Sequence, residues 1–218
     1  MMHKSIGVLV ASLSLALAGC ASKTTAPEQY SGFLGDYSQL QKQETPSGAP
    51  VMRWKADGFD VNNYASILIE PVCFHPKPAP SDQVSDQALE QICSYTQQRL
   101  TEELAKVRPI VQQATNDTLV LRGALTAVQT SAEELQPYEV VPVALVAAAA
   151  MSATGNRDQQ VALFFEAEVL DGGSSKPLVR AVRKAFGENL KNDSTQLTLN
   201  DVKGVIDQVA KDARLALQ

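Results

Sequence analysis

The chain has 218 residues, 44% of them hydrophobic, enough for one domain with a real core and short for two. Charged residues make up 20% and aromatics 6%, ordinary globular usage that excludes a wholly disordered, collagen-like or disulfide-dense chain. The formal net charge of −5 supplies no basic field for a phosphate backbone and argues against nucleic-acid partners.

Lys4 precedes an apolar run, Ile6 to Leu17, that is too short to cross a bilayer as a helix. The run ends in Leu17-Ala18-Gly19-Cys20, so residues 1–19 read as a signal peptide. That ending matches the lipobox of bacterial lipoproteins, in which the thiol accepts a diacylglyceryl group. Cys20 is therefore the expected lipidation site; the plainer alternative is an ordinary secretory leader in which Cys20 is incidental. The lipobox resemblance implies cleavage before Cys20, thioether lipidation and N-acylation, for instance by palmitate. Each buried methylene of such chains contributes about 0.8 kcal/mol to membrane attachment. Ala21 stands where lipoproteins retained at the inner membrane usually carry Asp. The expected location is thus the outer membrane, with the domain in the periplasm. Residues 20–30 read as lipidated cysteine and tether, and 31–218 as a single periplasmic domain.

The stretch Ser31-Gly32-Phe33-Leu34-Gly35-Asp36-Tyr37-Ser38 interleaves glycines with large apolar residues. It either staples an N-terminal arm onto the domain or presents Phe33, Leu34 and Tyr37 as a docking surface. Gln41 to Pro50 reads as a loop, and Val51 to Asp57, with the only Trp (Trp54), as a short strand. Tyr64 to Val72 is the first strong strand, and Pro76, Pro78 and Pro80 stiffen the loop after it. A long helix is expected from Asp82 to Val107, with Leu89, Ile92, Leu100 and Leu104 on one stripe and Pro109 as its stop. Thr118 to Val128 and Gln160 to Asp171 read as strands, the second with Val161, Leu163, Phe165, Ala167 and Val169 on one face. The turn Asp171-Gly172-Gly173-Ser174-Ser175 returns the chain into a strand from Leu178 to about Gly187, making a hairpin. A last helix starts at the capping-box-like Thr198-Leu199-Asn200-Asp201 and carries the stripe Val202, Val205, Ile206, Val209, Ala213 and Leu217. One-sided alternation predicts a two-layer α+β sandwich, its mixed or mostly antiparallel sheet of about four to five strands covered by these two helices.

Setting Cys20 aside, Cys73 and Cys93 remain. The first ends a strand and the second lies on the buried stripe of the long helix. A bridge between them is the expected pairing in an oxidising compartment, against two buried free thiols. No cofactor is indicated, and a metal role lacks further ligands at suitable spacing. His75, alone in the mature chain, reads as an exposed or structural histidine with no partner to orient it as a catalytic base. Glu166 and Glu168 share a strand face, where paired carboxylates can serve glycosidic chemistry. Alternation already explains them as a solvated face. Val140 to Ala153, VVPVALVAAAAMSA, is apolar all round. It reads either as a buried small-residue helix or ordered crossover, or as an exposed element that packs on a partner, another copy or the membrane face, with Val146 and Met151 as contact residues; it is too short to span the membrane.

SGFLGDYSQL at Ser31 to Leu40, with Trp54, YASILIEPV at Tyr64 to Val72, DTLVLRGALTAV at Asp117 to Val128 and FEAEVLDGGSSKPL at Phe165 to Leu178, resembles a bacterial lipoprotein family called domain of unknown function 3313. The resemblance spans most of the mature domain and implies a small periplasmic α+β domain with no established activity.

The expected function is accordingly a non-enzymatic outer-membrane lipoprotein. Its domain would contact an envelope protein or a second copy of itself through Phe33, Leu34, Tyr37, Val146 and Met151. The alternative is an envelope enzyme, or an enzyme activator, working on cell wall or lipid through the acidic strand face. A third reading, a carrier of lipid or another small ligand, requires a cavity.

Overall fold

The computed structural model describes residues 24–132 and 157–218. Its strands are β1 (Gln41–Glu44), β2 (Pro50–Lys55), β3 (Ser66–Ile69), β4 (Cys73–Phe74), β5 (Ile110–Val111), β6 (Thr118–Ala132), β7 (Gln159–Asp171) and β8 (Pro177–Phe186). The helices are α1 (Asp86–Leu104) and α2 (Leu199–Ala216). The strands form one mixed sheet in the order β1-β2-β8-β7-β6-β3-β5, with β4 also paired to β6. Pairs from β1 to β6 run antiparallel, whereas β3 lies parallel to both β5 and β6.

The α+β class, the mixed sheet and its two helices agree with expectation, but the sheet has eight strands rather than four or five. The additional strands lack the pattern that alternation can detect. β4 and β5 are two residues long, too short for a period of two to repeat. β1, Gln-Lys-Gln-Glu inside the expected loop, is a polar edge strand held by β2 alone, and such charged edges discourage further pairing.

Both helices cover one face of the sheet. Ser85 caps α1 by accepting the Ala88 N–H at 3.2 Å. Asp201, in the first turn of α2, accepts both the N–H and the hydroxyl of Thr198 at 2.7 Å. Leu89 and Ile92 of α1 and Val202 and Ile206 of α2 pack with Leu125, Val161, Leu163 and Phe165 of the sheet. The register of β6 slips between Leu125 and Ala127, so Thr126 is the extra residue of a bulge. The slip reverses the alternation and brings Val128 to the core side. Ile67, Leu104, Leu119, Leu121, Val169 and Leu217 form a second cluster toward the ends of both helices.

The helices also meet through charge. Glu103 accepts from Lys106, in the turn just after its helix, at 2.5 Å and from Arg214 of α2 at 2.9 Å, while Arg99 donates to Asp207 at 2.8 Å. Tyr95 donates to the same Asp207 carboxylate at 2.7 Å. Burial, then that hydrogen bond, pushes the Tyr95 phenol up to about 12, and the same two causes act on Tyr64 beside Asp171. A phenol whose folded pKa is raised contributes stability below the unfolded value of about 10, and the contribution is lost as pH rises toward 12. An alkaline titration followed by phenolate absorbance should therefore show Tyr64 and Tyr95 ionising well after the tyrosines of the urea-denatured chain.

Cys73 of β4 and Cys93 of α1 are joined in a disulfide, with their Cα atoms 4.7 Å apart and 20 positions apart in sequence. Closing a loop of that length in the unfolded chain is worth about 3 kcal/mol. The Cys73→Ala/Cys93→Ala pair should lose about that much in urea melts, and the reduced wild type should match it.

Packing begins before residue 31. Thr24 and Thr25 are buried, and a short 3-10 turn, Pro27–Gln29, leads into the arm.

Candidate functional site

The arm formed by residues 30–37 lies on the sheet face opposite the helices, where the Glu166 carboxylate takes two of its hydrogen bonds. The Ser31 N–H donates to Glu166 Oε1 at 2.7 Å, and the Tyr37 hydroxyl donates to Oε2 at 2.5 Å. The Leu34 N–H donates to the Tyr37 hydroxyl oxygen at 3.3 Å, closing the loop on itself. Gly32 and Gly35 have φ of 89° and 71°, in the left-handed region where a side chain is strained. Those two turns tuck Leu34 inward to 4% exposure. The Tyr30 and Tyr37 rings stack with centroids 4.6 Å apart. Burial, followed by the hydrogen bond to Glu166, pushes the Tyr37 phenol up; burial and then the Glu166 charge do the same to Tyr30.

Glu168, two residues along β7, accepts from Arg122 of β6 at 2.8 Å and from Arg180 of β8 at 3.4 Å. Arg180 also donates to the Asp36 carboxylate at 3.1 Å, and Arg122 lies 3.3 Å from Glu70. Charge partners therefore run from the arm, through Arg180 and Glu168, to the parallel half of the sheet. Phe33 sits half-buried on top, 5.6 Å from the His75 ring and 5.6 Å from the Arg122 guanidinium.

This arrangement corrects the reading of Glu166 and Glu168 as a solvated face: they are 1% and 4% exposed. Strand alternation shows which side of β7 they occupy and carries no information about an arm that folds back from more than a hundred residues away. Their oxygens are taken up by an amide, a phenol and two guanidiniums, so the pair is built to hold a segment of chain. Of the candidate contact residues, Phe33, Leu34 and Tyr37 all lie in this arm. Cys20, Val146, Met151 and the whole of Val140 to Ala153 lie outside the described residues. His75 is exposed, and its backbone N–H donates to the Leu125 carbonyl at 2.9 Å. Among the described residues no group of three or more His, Cys, Asp or Glu could hold a metal ion, and no helix is long and apolar enough to cross a membrane.

A second buried charge site escaped the sequence reading. On the helix side of the sheet, Arg183 of β8 donates to Asp212 of α2 at 2.7 Å. Asp212 also accepts the N–H and the hydroxyl of Ser47, in the β1–β2 turn, at 3.1 and 2.7 Å. The signal was present: Arg183 continues the face that carries Val179, Ala181 and Ala185, and Asp212 falls three residues after Val209 on the stripe of α2. A lone charge on each of two apolar faces marks a buried pair.

The family model described as protein of unknown function DUF3313 matches residues 29–213, from the arm to the end of α2. The uncharacterized lipoprotein YdcL of Escherichia coli strain K12 is 45% identical over 201 residues, covering 92% of this chain and 90% of the relative. Similar solved structures include the hypothetical protein CT253 from Chlamydia trachomatis, at TM-score 0.42 and 8% identity, covering 70% of this chain and 94% of that one. The PelC dodecamer from Paraburkholderia phytofirmans is also similar, at TM-score 0.38 and 12% identity, covering 74% and 96%. The match over nearly the whole domain, together with the close lipoprotein relative, shows that this chain belongs to the DUF3313 family of proteins of unknown function.

Proposed function

We propose that this lipoprotein is anchored in the outer membrane through Cys20 and that its periplasmic domain is a non-enzymatic binding or assembly component of the cell envelope. The observation that supports this reading most is the arm latched onto Glu166. Packing starts at Thr24, four residues after Cys20, and four extended residues span at most about 14 Å. The domain would be held against its membrane, and confinement to that layer raises the effective concentration of any partner there. The same latch weakens the enzyme alternative, because it occupies the carboxylates that such chemistry would use. The outer side of the arm, with Phe33 over Arg122 and beside His75, is the described surface we assign to contact with an envelope protein or a second copy.

In-cell crosslinking of the native protein beside a secreted Cys20→Ala form tests this. Recovery of one envelope protein, or of a second copy, with the anchored form and its loss with the soluble form is the expected result. Failure of both forms to retain any protein would remove the reading.

A further inference from the structure

A cleft of about 450 Å³ opens between the C-terminal end of α2 and the sheet, on the helix side and away from the arm. Its walls are largely aliphatic, with Leu104, Leu121, Val169, Val179 and Leu217 among them. That volume and lining suit a small organic ligand that is mostly apolar. An inner recess of about 120 Å³ shares Ala181, Ala213 and Arg53 with it.

The recess contains Arg183 and Asp212. The Arg183 side chain is 9% exposed, and its Nε–H is buried with no acceptor among the described residues. An unpaired buried donor is costly, so an acceptor that reaches it recovers that penalty. Arg53 lies on the same sheet face. It is directly across from Ala181, which makes it the diagonal neighbour of Arg183, roughly 7–8 Å away. Its Nε donates to Gln43 at 2.9 Å, and it has no carboxylate partner among the described residues. Lys55 also lines the cleft, Glu44 on the rim opposes it, and Asp212 balances Arg183. Glu168 lines the cleft too, but its carboxylate is bound by Arg122 and Arg180 on the other sheet face, so the remaining side chains leave a net positive charge beside the recess.

We propose that this cleft binds a free long-chain fatty acid, its carboxylate between Arg183 Nε and Arg53 and its chain running toward Leu104 and Leu217. The recess, about 120 Å³, suits a carboxylate and its first methylenes better than a bulkier phosphoglycerol headgroup. The site is separate from the arm and does not depend on a protein partner there.

The test is a fluorescence titration of the secreted, delipidated Cys20→Ala chain with cis-parinaric acid, followed by displacement with palmitate, hexadecanol and lysophosphatidylglycerol. The expected result is one saturable site from which palmitate displaces the probe, with hexadecanol at least about tenfold weaker for want of a charge-assisted bond. Arg53→Gln should weaken palmitate about tenfold and narrow the acid–alcohol difference, Arg183 remaining as the second donor. Ala216→Phe, which fills the cleft and keeps both arginines in the sequence, should block the probe; Ala213→Phe is the second filling variant should the first fail to fold by circular dichroism. No saturable binding, equal binding by Arg53→Gln, or undiminished binding by a folded cleft-filling variant would overturn the assignment. Stronger displacement by lysophosphatidylglycerol than by palmitate would overturn the free acid as occupant.

Discussion

Asp212→Ala should lower the stability of the domain by about 3–5 kcal/mol in urea titrations. Asp212 is 4% exposed and ties three elements together, holding the β1–β2 turn through Ser47, β8 through Arg183 and its own helix through Gln208. Its removal strands the Arg183 guanidinium in a site where another donor is already unpaired. The penalty comes from the charge left behind more than from the bond lost, so Asp212→Leu combined with Arg183→Met should recover most of the deficit.

The same pair sets a pH dependence. Burial alone would raise the Asp212 pKa, but the Ser47 and Arg183 hydrogen bonds outweigh it and hold the carboxyl below its ordinary range. For Glu103, the Lys106 hydrogen bond leads and, with that from Arg214, overcomes burial in the same direction. Depressed carboxylates stabilise the fold above their unfolded values, and the contribution is lost as pH falls through the folded ones. Stability should therefore be level near neutrality and decline below about pH 4. The decline should be shallower in Asp212→Ala, and an unchanged acid limb in that variant would contradict the assignment.

The fold was legible wherever apolar residues recur at a fixed period. β6, β7, β8 and both helices carry enough repeats of two or of three and four to be placed from residue identity alone, and even the Thr198–Asp201 cap could be read. The remainder depended on contacts that leave no periodic trace. β1 is polar along its whole length because only one of its edges is paired. The bulge at Thr126 shows itself only against its partner strand. The arm illustrates the same limit from the other side. Its glycines and aromatics stood out as a motif, and both a staple and a docking surface fitted them. What separates the two is the burial of Glu166, a residue 129 positions beyond Tyr37 that reads as solvated on its own strand. The cleft was out of reach because its lining residues lie on β2, β6, β7, β8 and both helix ends and share no local pattern.

Glu166→Ala should release the arm. Hydrogen bonds to a charged acceptor are worth about 1.5–3 kcal/mol each, and Glu166 accepts two across the gap between arm and sheet. Loss of both should cost the docked arm about 3–6 kcal/mol. Amide exchange at Leu34 and proteolytic nicking at Gly32 and Gly35 should rise by orders of magnitude, while the helices and β7 keep their protection. Glu166→Gln, which retains one acceptor and turns its amide toward the other donor, and Tyr37→Phe, which removes the phenolic donor, should each lose about half of that. Because both singles break the same contact, the double variant Glu166→Gln/Tyr37→Phe should be less damaged than the sum of the two, with a coupling of about 1 kcal/mol or more. Additive losses would mean that the Tyr37 hydroxyl stabilises the arm through the Leu34 N–H and not through Glu166. Where Thr24 and Thr25 are freed with the arm, the chain between lipid and sheet also lengthens: the free segment then runs from Cys20 to about Leu40, and its root-mean-square span is roughly 25 Å in place of a taut link of at most about 14 Å. The domain of Glu166→Ala should then crosslink to its neighbours over a wider radius and with less selectivity than the wild type, a readout that loss of a catalytic acid would not produce.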